Sequence, residues 1–428
     1  MMLDRKGLPR IADWLAVATA VSLPWSTSAT SILLGAWLVI LLASLDLGSV
    51  RRVSATAAGG LPILLWLLAA IGMLWADVGW PDRFGGLSGF HRLLATPLLL
   101  AQFRRSEKGV WVLSGFLAAA VVLMLASWIS YFNPDLKWPW PHVNPILGVP
   151  VKDVISQSTI FIVCAFGLIW RVCDLSRRQN WRTALLLAGL ATLFVANLVF
   201  VAVARGDVVA APILMLLLGW RQFRLKGAVI AGLVGCLLAA GAWTASPYLR
   251  GRLITAVHDV TAYRASHADN DVGDHVEFIK KSLRFVAEAP FIGHGTGSIA
   301  EMFRRSSIGE SGAAAIPTVN PHNQVFAVAI QLGLLGAFLL LAMWLAHYLL
   351  FRVPGFAAWI GTVVVVENVV SSLTSSHLFD FMHGWLYVVG VGVAGGMVLR
   401  RDASVPLEGA MPLAGGDNAA RPHPDAIS

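Results

Sequence analysis

The chain has 428 residues, 57% of them hydrophobic and only 13% charged, which excludes a soluble protein with an ordinary polar surface. Its formal charge of +8 sits in small clusters between apolar spans. No basic run interleaved with aromatics occurs, so nucleic acid is not an expected partner. Cys164, Cys173 and Cys236 lie in or beside apolar spans without metal-ligand spacing, and neither a disulfide nor a zinc site is assigned.

Arg5, Lys6 and Arg10 precede an apolar stretch with no small-residue cleavage site, which reads as an uncleaved first membrane helix. Stretches apolar enough to cross a bilayer follow at 11–28, 31–47, 61–75, 88–101, 110–132, 154–173, 184–204, 208–220, 228–245, 323–350, 356–373 and 381–399. They predict an all-α polytopic membrane protein of about 12 transmembrane helices, nine within 1–245 and three within 322–400. The 17 Trp and 20 Phe suit helices crossing the interface. Basic residues alternate between successive short loops: one set holds Arg5, Lys6, Arg10, Arg51, Arg52, Arg104, Arg105, Lys108, Arg171, Arg177, Arg178, Arg182, Arg221, Arg224, Lys226, Arg352, Arg400 and Arg401. The opposite set holds only Arg83, Arg92, Lys137, Lys152 and Arg205. Retention of Lys and Arg inside the cell then predicts cytoplasmic termini and an even number of spans. Residues 246–321 form one long external loop with short helices, and 401–428, rich in Ala, Gly and Pro, a disordered cytoplasmic tail.

A loop of that length among otherwise short connections is where function is expected. Residues 272–289 read as an amphipathic helix, with Val276, Ile279, Leu283 and Val286 recurring at three or four and Lys280, Lys281 and Arg284 on other faces. It either offers a basic face to lipid phosphates or packs on the bundle with a solvated charged face. Alternate glycines follow, Gly293-His-Gly295-Thr-Gly297. They permit tight turns but lack the spacing of a nucleotide fingerprint, so a plain loop is preferred to a phosphate cradle. The loop closes on Asn320-Pro-His322-Asn323-Gln324, directly before an apolar helix bearing Gly333-Leu-Leu-Gly336. A helix start exposes N–H groups that favour anions, and a histidine there exchanges a proton near neutral pH. Taken alone, His322 is better explained as an interfacial polar residue than as a catalyst.

The pair His322-Asn323, followed after nine residues by Gly333-x-x-Gly336, resembles the pattern of the O-antigen ligase superfamily, which also contains O-antigen polymerases. Val203-Ala-Arg205-Gly206 is similar to that family's Ser-Arg-Gly segment, with alanine before the arginine. Gly273-Asp-His275-Val-Glu-Phe278 is similar to its Gly-x-Arg-x-x-aromatic stretch, with His275 where the second essential arginine is usual. Arginine grips phosphate with two fixed donors and histidine does not, so Arg264, Arg284 or a protonated His275 stand as replacements. The resemblance implies a glycosyltransferase of the bacterial inner membrane that needs no metal or cofactor. It would move a polysaccharide from undecaprenyl diphosphate to a sugar hydroxyl of lipid A core on the periplasmic side, with inversion. His322 and Arg205 would be catalytic, and His275, Arg264, Arg284, Asn323 and Arg92 would bind substrate.

His91 and Arg92, Glu367, Asp207, and the pair Asp380 and His383 are further polar groups with structural explanations beside functional ones. An O-antigen polymerase is the nearest alternative. Arg284 and Gly295 have the Arg-x10-Gly spacing of polymerase loops, but residues 133–153 are short and lack it. A transporter of a small anion or lipid predicts paired broken helices and polar groups at the bilayer midplane, and the sequence displays neither.

Overall fold

The computed structural model describes residues 7–136, 147–202, 204–266 and 270–404, so the expected tail beyond 404 lies outside the described residues. Among the described residues the chain forms sixteen α-helices and no strand: α1 (Leu8–Ser22), α2 (Thr27–Ala43), α3 (Leu47–Ser54), α4 (Ala57–Gly72), α5 (Trp80–His91), α6 (Ala95–Arg105), α7 (Gly109–Phe132), α8 (Val154–Arg177), α9 (Trp181–Phe200), α10 (Arg205–Ala245), α11 (Pro247–Ser266), α12 (Asp271–Glu288), α13 (Ile299–Ser306), α14 (Gln324–Leu350), α15 (Phe356–Ser371) and α16 (Phe381–Ser404). Hydroxyl, carboxylate or amide caps start many of them, such as Ser26 before α2, Thr56 before α4 and Asp153 before α8, each satisfying an orphan N–H. Among the described residues, six helices are long and apolar enough to cross a membrane, or seven if α2 and α3, bent by 110°, count as one span. α4 and α15 are shorter apolar helices.

The 41-residue α10 is two arms, because the backbone leaves helical angles at Phe223 and Arg224 (φ 56°). Gly219 meets Gly227, Leu216 reaches Gly232 and Met215 reaches Gly235, so the arms run antiparallel. The reversal coincides with the Arg221, Arg224 and Lys226 cluster that separates the eighth and ninth expected spans. Basic segments far apart in sequence also meet one another. Arg105 pairs with Asp46 at 3.2 Å, Arg400 with Glu107 at 3.4 Å, and Arg177 donates to the Gln222 carbonyl at 3.4 Å.

The core gathers α16 along α6, α15 against α8, α10 and α16, α14 along α4, and α1 against α2 and α7. Buried polar side chains tie helices together where no water can satisfy them. Gln157 Nε2 donates to Ser127 Oγ at 3.0 Å and to Asn197 Oδ1 at 3.2 Å, and Asn197 Nδ2 donates to the same Ser127 at 2.8 Å, joining α7, α8 and α9. His347 on α14 bridges Tyr387 Oη at 2.6 Å and the Ala58 carbonyl at 2.8 Å.

α14 is broken at Gly333 (φ 65°, ψ −166°). The carbonyls released there are taken by the glycine run: His294 N–H donates to Ile330 at 2.8 Å and Gly295 N–H to Gln331 at 2.9 Å. In return Leu334 and Leu335 N–H donate to the Pro290 and Phe291 carbonyls at 2.7 and 3.3 Å. The segment 290–297 therefore docks into the break. Thr296 N–H donates to Gly72 and Gly297 N–H to Gln331 Oε1, so these amides are consumed by the fold and form no phosphate cradle.

The helix expected at 272–289 exists as α12, but a different face is buried. Phe278, Lys281, Ser282 and Phe285 point inward, while Ile279 and Leu283 are 41% and 54% exposed. Phe278 and Phe285, one heptad apart, pack with Ile299 and Phe303 of α13 and Ala327 and Ile330 of α14. Two aromatic rings bury more apolar area than the aliphatic stripe. No basic face results. Buried Lys281 donates to Ser307 Oγ at 2.9 Å, Lys280 pairs with Glu277 at 2.9 Å and Arg284 with Glu288 at 3.5 Å.

Candidate active site

His322 holds left-handed backbone (φ 53°), a region that histidine visits more readily than most residues. Local bonds fix it. Asn320 Oδ1 accepts the His322 N–H at 2.9 Å, and Asn320 Nδ2 reaches Ser375 Oγ at 3.2 Å. Asn323 caps α14, its Oδ1 accepting Val325 and Phe326 N–H at 2.9 and 3.2 Å while its Nδ2 donates to the Leu373 carbonyl at 3.3 Å. Gln324 N–H donates to the Ser372 carbonyl at 2.9 Å, and Gln324 Oε1 accepts Leu378 N–H at 2.8 Å. The turn 372–378 is thus the floor beneath His322. These bonds also occupy the first N–H groups of α14, so the helix start is not the free anion site that its sequence suggests.

Docking of α12 places a second imidazole against the first. The His275 and His322 ring centroids are 4.5 Å apart, and Phe278 stacks on His322 at 5.5 Å and 8°. His275 Nδ1 lies 2.6 Å from the Asp271 carbonyl. A carbonyl only accepts, so Nδ1 carries a hydrogen and Nε2 faces away from that bond. Burial first, and then the charge of His275, push the His322 pKa below 6.5, against the opposing pull of Asp271, Asp380 and a backbone bond at Thr374. His322 is therefore a neutral, half-buried imidazole at neutral pH, able to accept a proton.

Behind the floor lies a second cluster. His377 and His383, 2% and 5% exposed, have ring centroids 4.1 Å apart. Asp380 Oδ2 stands 3.1 Å from His377 Nδ1 and 3.7 Å from His383 Nδ1. Arg92 donates to the carbonyls of Phe379, at 3.0 Å, and of Asp380. Burial alone would raise the Asp380 pKa. The hydrogen bond from His377 and the charges of His383, His377 and Arg92 outweigh it and hold the carboxyl below its usual range.

His275 packs on His322, Asn323 follows it with its amide already engaged at both ends, and Arg92 meets the Asp380 turn, whose carboxylate acts electrostatically on His322. Arg205 is the first residue of α10. Its side chain lies outside the described residues, and the next residue, Gly206, packs on the Ser371 backbone at the end of α15. Arg264 is exposed on α11. Arg284 lies nine positions beyond His275 on α12, about 13 Å along the axis, and pairs with Glu288. At that separation and so paired, Arg284 stands apart from His322. Glu367, 3% exposed, accepts from Thr159 Oγ1 at 3.2 Å, a partner on the neighbouring helix α8. His91 Nδ1 accepts Trp66 Nε1–H at 2.9 Å.

Sequence reasoning passed over His377 and Asp271. The first was signalled by the three-residue steps His377, Asp380, His383, and the second by its place one helical turn before His275.

A search among curated proteins finds no match. The family model described as O-Antigen ligase matches residues 190–341, from within α9 into α14, the stretch that holds Arg205, His275, the glycine run and His322. On that match, the segment 190–341 of this chain is similar to the O-antigen ligase family.

Proposed function

We propose that this protein transfers a polysaccharide from undecaprenyl diphosphate to a sugar hydroxyl of lipid A core, on the periplasmic side of the bacterial inner membrane. The observation that carries the proposal is the neutral imidazole of His322, held in left-handed backbone and facing His275 within the matched segment. In the transfer, the acceptor oxygen forms a bond to the anomeric carbon and its proton passes to His322. The bond from that carbon to the diphosphate breaks, and the electron pair leaves on the diphosphate oxygen. Cations stabilise that developing charge, a role assigned to Arg205 with Arg92 near the floor of the site. A protonated His275, standing where the family pattern has arginine, donates from Nε2 to a phosphate oxygen while Nδ1 keeps its bond to the Asp271 carbonyl. A single displacement inverts the anomeric configuration, in contrast to the paired carboxylates of a retaining glycosidase. The convergence of the basic segments supports a topology of twelve passes, counting α1 and the α5–α6 segment as well as each arm of α10 and the shorter apolar helices α4 and α15, with both termini cytoplasmic and 246–321 outside.

The test is deletion of the gene and complementation with His322→Ala, read as surface polysaccharide by gel. The expected result is unmodified lipid A core with full-length polymer accumulating on undecaprenyl diphosphate. Lipid A core bearing a single repeat unit identifies a polymerase instead. Normal polysaccharide from well-expressed His322→Ala overturns the assignment of the base.

A further inference from the structure

We propose that His377, Asp380 and His383 form a binding site for a divalent transition-metal ion of the zinc class, and that the ion pins the floor of the His322 site. One nitrogen from each histidine and one Asp380 oxygen lie within 4.8 Å of one another, with Asp380 Oδ2 at 3.1 and 3.7 Å from the two Nδ1 atoms. Ligand atoms about 2.0–2.1 Å from a tetrahedral zinc stand about 3.3 Å apart. The three groups therefore need side-chain adjustment only. Two imidazoles and a carboxylate are the donor set of a borderline cation, softer than magnesium or calcium prefers.

Two observations apart from the spacing point to a cation. The cluster is buried, and His383 Nε2 lacks a well-formed hydrogen bond within it. A buried imidazole nitrogen without a partner is costly, and coordination through that nitrogen removes the cost. The surroundings are also acidic. Asp153 acts electrostatically on His383, and Asp207 interacts with His377. Arg92 meanwhile binds the backbone carbonyls of Phe379 and Asp380, which steadies the turn and leaves the Asp380 side chain to the histidines.

The site bears on function through the floor. Ser372, Leu373, Ser375 and Leu378 hold Gln324, Asn323 and Asn320, and an ion bound at 377–383 immobilises that turn from behind. It takes no part in the transfer step, and its binding is independent of the proposed reaction.

The experiment uses the untagged full-length protein purified in detergent, stripped with chelator, reloaded with Zn²⁺ and desalted, with metal content measured by mass spectrometry. Co²⁺ loading is followed by visible absorption. The expected result is one zinc per chain and visible cobalt bands. Both are lost in His377→Gln/His383→Gln, Asp380→Asn loses about tenfold or more in affinity, and His258→Gln, an exposed histidine, changes nothing. Monodisperse elution and an unchanged helical signal in the stripped protein establish that the variants are folded. Zinc retained equally by the double variant, or no retention by the wild type, overturns the proposal.

Discussion

Gly333 offers the sharpest test of how the site is assembled, because its break in α14 holds the segment that leads to α12. Its φ of 65° and ψ of −166° fall in a region open essentially to glycine alone, and forcing alanine there costs about 1–3 kcal/mol. The new Cβ would also lie within van der Waals distance of the Phe291 carbonyl group and 2.5 Å from the Ile292 nitrogen. Those are backbone atoms, and they cannot swing aside. Relief requires the 290–297 segment to leave, with loss of the four hydrogen bonds at His294, Gly295, Leu334 and Leu335, about 1 kcal/mol each. The full cost is then about 5–7 kcal/mol, enough to release α12 and separate His275 from His322. Gly35→Ala is the matched control, since nothing lies within 4 Å of its added Cβ and the helix α2 gains up to about 1 kcal/mol in propensity. Thermal melting of the purified protein and polysaccharide transfer in complemented cells are the readouts. Gly333→Ala should melt well below both wild type and Gly35→Ala and lose transfer. A wild-type melt with normal transfer would refute the docking argument.

Phe285→Ala removes a ring that is 1% exposed and should cost about 3–5 kcal/mol, loosening α12; proteolysis that leaves the 271–288 helix as resistant as in wild type counts against this. Asn323→Ala should lose about 0.5–2 kcal/mol of cap energy, whereas Asn323→Asp keeps an acceptor for Val325 and Phe326 and should keep most activity. Equal loss of transfer in both variants would instead assign Asn323 to the substrate. The lowered pKa of His322 means that its imidazole takes up a proton at lower pH than an ordinary histidine, so the acid limb of the transfer-rate profile should lie below the ordinary imidazole range. His275→Gln removes a like charge, which raises the His322 pKa and should move the acid limb of the pH–rate profile to higher pH; a limb that stays put shows the two rings to be uncoupled.

Which parts of this arrangement were readable follows from the range of the forces involved. The start of the apolar helix at 323 is a local signal, and α14 begins one residue later because Asn323 caps it, a bond made within three residues. The reversal inside α10 was marked by Arg221, Arg224 and Lys226, because clustered charge cannot remain in an apolar span. The buried face of α12 differs from the expected aliphatic stripe because the aromatic rings outweigh it. Ile279 and Leu283 face outward while Phe278 and Phe285 face inward, since two rings bury more apolar area and single exposed aliphatic residues are common at a surface. Gly333 was seen as part of a spacing pattern, but its break has meaning only against residues 290–297, some forty positions earlier, which no local signal connects. That pairing also changes the chemistry expected of the site. The amides of 294–297 and of 324–326 all have protein partners, so neither the glycine run nor the helix start is available to a diphosphate. Recognition of the donor must then rest on charged side chains, which makes Arg205, Arg92 and His275 the groups whose neutral replacements should weaken donor binding most.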